Sequence, residues 1–275
     1  MSRVSEHNAS VATVGDLWPD FVARATALCR TVAGRDLTGL PLYILLQSEV
    51  AEVMGRENYS DGYTTPNLDL NLQSVIGDRW HGRGPCMVLN DVPIADEHFP
   101  EDVDIVAMSI VLHELAHILD RPMQVDLQSL PSDDRIEFET MVIANAARHE
   151  SRPLPTPYFG HEDQFIRIAL HLHFRAARAS VETIPNLLCS GRRYCLSHAH
   201  RYVEAIGDEP ADLPEIAFTE ISRSPPPEAF IALWLNDVTR ASQQQIVRDL
   251  VKEADEVRWT MKAKSVQCQD LARRS

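Results

Sequence analysis

The chain has 275 residues, 44% hydrophobic and 24% charged, a composition that suits one large globular domain or two small ones. Its formal charge of −14, from 40 acids against 26 bases, repels phosphate backbones and argues against nucleic acid as a partner. Cys29, Cys86, Cys189, Cys195 and Cys268 are too widely spaced for a disulfide framework, and neither a secretory leader nor a membrane-length apolar run is visible, so the expectation is a soluble cytoplasmic protein without a membrane partner.

Taken in chain order, residues 16–32 have helical spacing, with Phe21, Ala25, Leu28 and Val32 on one stripe. Residues 41–46 (PLYILL) read as a buried strand, and 48–54 as a short helix ending at Gly55. Residues 56–84 are rich in Asn, Asp and Gly, with only brief extended pieces. Residues 84–90 (GPCMVLN) read as another strand, which Pro85 would place near a sheet edge, where an extended peptide could add by strand pairing. A long helix follows, opened by Pro100, with Glu101, Asp102 and Asp104 complementing its positive end and Pro122 forcing its stop. Further helices are expected over 132–150, over 162–180 with Phe165, Ala169, Leu172 and Ala176 in line, and from 228 to about 262. The acidic, Pro-rich stretch 206–227 reads as a loop or linker. Few strands in the first half and helices in the second define an α+β protein, divided at 1–183 and 184–275 into a catalytic-type domain and a helical extension.

The long helix contains VLHELAHILD, residues 111–120. Side chains four apart on a helix differ by about 40° around its axis, so His113 and His117 project side by side and can reach one ion. Glu114 lies about 100° round from His113, where a base acting on activated water belongs. Val106, Met108, Ile110, Val111, Leu112, Leu115, Ile118 and Leu119 surround the motif, so the helix is expected to be buried and its polar groups to need partners. Asp120 shares the face of the two histidines and is expected to orient one of them, or to ligate.

A catalytic zinc site takes three protein ligands. The candidates for the third are His161, just before the 162–180 helix, and Glu137 or Glu139 on the helix before it, with His149 and His171 as further histidines. Cys189, Cys195, His198 and His200 invite a second metal, although their spacing matches no defined zinc motif.

HExxH followed by a histidine four residues before an aromatic, here His161 before Phe165, resembles the SprT-like zinc metallopeptidases over residues 105–170. The resemblance implies a zincin-like core with a small sheet packed on the HExxH helix, Zn2+ held by His113, His117 and His161, and Glu114 as general base. Protein or peptide would be the substrate. Glu162 stands where that family often has Gly, and the segment between His117 and His161 is longer than is typical. The competing class is a catalytically inactive zincin-fold interaction or regulatory protein, in which the helical half is the working surface.

Overall fold

The structure, a computed structural model, describes residues 14–54, 61–64, 68–91, 94, 100–120, 161–190 and 199–240. Helix α1 (Val14–Ala33) leads into strand β1 (Tyr43–Leu46) and helix α2 (Gln47–Met54). Strand β2 (Gly62–Thr64), the short helices α3 (Leu68–Asn71) and α4 (Gln73–Ile76), and strand β3 (Cys86–Leu89) follow. Helix α5 (Pro100–Asp120) carries the HExxH motif, and α6 (Asp163–Arg178) follows His161. Then come α7 (Pro185–Ser190), α8 (Ala199–Ile206), α9 (Glu209–Asp212), α10 (Phe218–Arg223) and a last helix over 228–240. The protein is therefore α+β, with one small sheet and mainly helical content, as its sequence led us to expect.

The three strands run in the order β1-β3-β2. β3 pairs in parallel with β1 and antiparallel with β2. β1 and β3 are covered on both faces, which explains their continuous apolar runs. Ile44, Met87 and Leu89 face the main core with α1, α5 and α6, whereas Tyr43, Leu45, Cys86 and Val88 face a smaller cluster with Val50, Leu68, Leu72 and Ile76.

Two sequence expectations need correction. β3 is the central strand, not one near the edge. Pro85 stands before the first ladder residue, so its missing N–H costs the sheet nothing, and its carbonyl accepts the Tyr43 N–H at 2.9 Å. The edge beside α5 is β2 instead. The 206–227 stretch is also more than a linker. Pro210 sits in the first turn of α9, where a proline is tolerated, and Phe218 and Ile221 on α10 are buried in the main core.

That core runs continuously from Trp18 and Phe21 on α1 through α5 and α6 to Leu188, Tyr202, Phe230 and Trp234, and so draws on residues from both sides of position 184. The expected helix over 132–150, the Pro-rich connection after it, and the chain beyond 240 lie outside the described residues. Among the described residues no helix is long and apolar enough to cross a membrane.

Candidate metal centre

Helix α5 packs against the sheet, α1, α6 and α7, which buries most of the motif and leaves His117 partly exposed. Leu112, Leu115 and Ala116 are fully buried, and His113 and Glu114 are 7% and 5% exposed. Helix α6 crosses α5 and delivers His161 from the residue pair preceding its first turn. The apolar stripe of α6 does the positioning: Phe165, Ala169, Leu172 and Ala176 are all fully buried, as their spacing predicts.

The result is a triangle of imidazoles. Ring centroids lie 4.8 Å apart for His113 and His117, 4.9 Å for His113 and His161, and 4.8 Å for His117 and His161. One ligand nitrogen from each of the three falls within 4.8 Å of the others, so they could hold a metal ion. The Nε2 atoms of His113 and His161 are 3.1 Å apart. Two nitrogens bound tetrahedrally to one zinc-sized ion would be about 3.3 Å apart, which the observed pair nearly matches. The donor set therefore fits such an ion. Phe165 forms the apolar floor of the triangle, its ring centroid 5.0, 4.4 and 4.7 Å from those of His113, His117 and His161.

His113 is fixed from behind. Its Nδ1 lies 3.0 Å from the Leu188 carbonyl of α7, and because a carbonyl can only accept, Nδ1 carries the proton and Nε2 presents its lone pair to the cluster. Burial, and then the neighbouring His161, push the His113 pKa down to about 3. The ring is therefore neutral at physiological pH, the form that ligates. Ser109, one turn earlier and fully buried, holds the same segment by accepting the Ile184 N–H at 2.8 Å.

Glu114 faces strand β2. Burial pushes its carboxyl up to about 8, opposed by the Thr64 N–H, which donates to it. Asp120, the last residue of α5, is half-buried and is not part of the imidazole group. His171 is fully buried elsewhere, with Nε2 3.6 Å from Glu209 and its ring against Phe218. Glu137, Glu139 and His149 lie outside the described residues, as do Cys195 and His198. Cys189 is buried and its thiol is pushed up to about 12 by that burial, which disfavours the thiolate a metal requires.

Three contributors escaped the sequence reading: the Leu188 carbonyl, the Thr64 N–H and Gly62. Two of them are backbone groups, which every residue carries. Gly62 is one glycine among 11, and only its neighbours in space single it out.

Comparison of the chain with models of known families, with curated proteins and with solved structures gave no match.

Proposed function

We propose that this protein is a zinc-dependent metallopeptidase with a SprT-like, zincin-type core. The observation that carries the reading is the meeting of His113, His117 and His161 around one point, with Glu114 buried next to the first of them. The three imidazoles hold the ion, and when bound it supplies Lewis acidity that activates water and polarises a carbonyl. His113, His117 and His161 each offer an imidazole nitrogen, a donor set suited to zinc and to other borderline divalent ions.

Glu114 is the general base. Its carboxylate takes a proton from the attacking water and returns it to the amine nitrogen as the peptide C–N bond breaks. Burial raises this carboxyl in the metal-free protein, and a divalent cation held beside it would oppose that shift and favour the carboxylate that acts as base. The Thr64 N–H holds the carboxylate in place while it does so. Phe165 excludes water from the back of the imidazole cluster.

The decisive variant is Glu114→Gln, which keeps the size and burial of the side chain but cannot accept the proton. It should retain zinc and lose hydrolysis of a peptide pool by about 100-fold or more. Equal hydrolysis by this variant would remove Glu114 from the mechanism. No hydrolysis by the zinc-loaded wild type would favour an inactive interaction module on the same fold.

A further inference from the structure

Strand β2 approaches α5 more closely than a side chain at position 62 would allow. A Cβ built on Gly62 would meet Ile110 Cγ2 at 2.8 Å, and Glu114 Cγ and Oε1 at 3.2 Å each. The backbone of Gly62 is not in the left-handed region, so space rather than conformation demands a glycine here. Two residues on, Thr64 donates its N–H to the same carboxylate.

The strand itself is pinned at both ends. Thr64 Oγ1 donates to the Cys86 carbonyl at 2.7 Å, and the Asn90 N–H donates to the Asp61 carbonyl at 2.9 Å. Between these, the ladder pairs Gly62 with Leu89 and Thr64 with Met87 on the central strand.

We propose that β2 is the positioning element for Glu114: the missing side chain of Gly62 and the N–H of Thr64 form a backbone seat that fixes where the carboxylate lies. A glutamate at that site on a helix would otherwise choose among several rotamers. The seat removes that freedom by contact on one side and a hydrogen bond on the other. Its catalytic consequence rests on the peptidase reading, whereas the contact itself does not.

The test combines Gly62→Ala with two relieving substitutions. In the zinc-loaded protein, Gly62→Ala should lower kcat/KM by about 10-fold or more at unchanged zinc content, since a 1 Å misplacement of a reacting group can cost roughly 100-fold. Adding Ile110→Ala removes the tightest contact, so measured against Ile110→Ala alone the added Gly62→Ala should lower the unfolding midpoint less while still lowering kcat/KM, because the new methyl still faces Glu114. Recovery of both together would show that Gly62 acts only through packing on Ile110, and would overturn the proposal.

A stability cycle decides the matter without any activity measurement. The drop in unfolding midpoint caused by Gly62→Ala should shrink in a Glu114→Ala background, where the opposing Cγ and Oε1 are gone. Strictly additive midpoints would mean that residues 62 and 114 do not share a seat. If wild type hydrolyses nothing, the peptidase reading falls and this cycle alone still judges the seat.

Discussion

His113 is held by neighbours from more than one element. It sits on α5, takes its tautomer from α7, and meets His161 at the start of α6. Phe165 ties these together, because its ring touches all three imidazoles and is itself fully buried. Truncation by Phe165→Ala would leave a cavity on which the imidazoles could collapse or tilt. The expected cost is about 3–5 kcal/mol in denaturant unfolding of the metal-free protein, together with weaker zinc retention against a chelator. An unfolding free energy unchanged within error would mean that the ring is not the floor of the site.

Among the elements, α5 and α6 were legible in the sequence because strong periodicity and an uninterrupted apolar surround leave few alternatives. The pairing of His161 with Phe165 followed from the same stripe, since fixing Phe165 in the core brings the residue one turn before it to α5. The place of β3 was not legible, because the rule that proline marks an edge applies to ladder positions and Pro85 precedes them. Helices α9 and α10 were hidden by their acids and prolines, being too short for periodicity to outweigh composition. Nor could any pattern show that α7 would supply the Leu188 carbonyl. That role follows from where α7 docks, with Leu188 in the core and Ser109 accepting the N–H of Ile184 just before the helix. Ser109→Ala removes the acceptor of the Ile184 N–H and should cost about 0.5–1.5 kcal/mol of stability, the usual net worth of a part-buried hydrogen bond. If thermal and denaturant unfolding of that variant match wild type, α7 is held by packing alone.

At the scale of the whole molecule, the core carries buried polar groups well away from the imidazole cluster. Arg167, 1% exposed, pairs with Glu209 and donates to the Ile221 and Ser224 carbonyls at 2.9 and 2.7 Å, and so ties α6 to the 209–224 segment. Beside it, burial lowers the pKa of His171, and the same cause lowers His173, whose Nδ1 lies 2.6 Å from Thr183 Oγ1. Both rings have folded-state pKa values below the roughly 6.5 of an unfolded chain. As pH falls through that value the unfolded state takes up protons that the folded state refuses, so stability falls with it. The contribution is fully present above about pH 6.5 and is lost progressively below it. Denaturant unfolding of the metal-free protein between neutral pH and pH 5 should show this decline, and His171→Leu should make it shallower. A slope identical in that variant would remove His171 from the account.

The proposed site gathers two imidazoles from α5 and one from just before α6 around a single ion. Native mass spectrometry of the purified protein, with metal content measured in parallel, tests it most directly in wild type, His161→Ala and Glu137→Ala. Wild type and Glu137→Ala should each carry one zinc per chain, and His161→Ala none. Zinc kept by His161→Ala and lost from Glu137→Ala would contradict this ligand set.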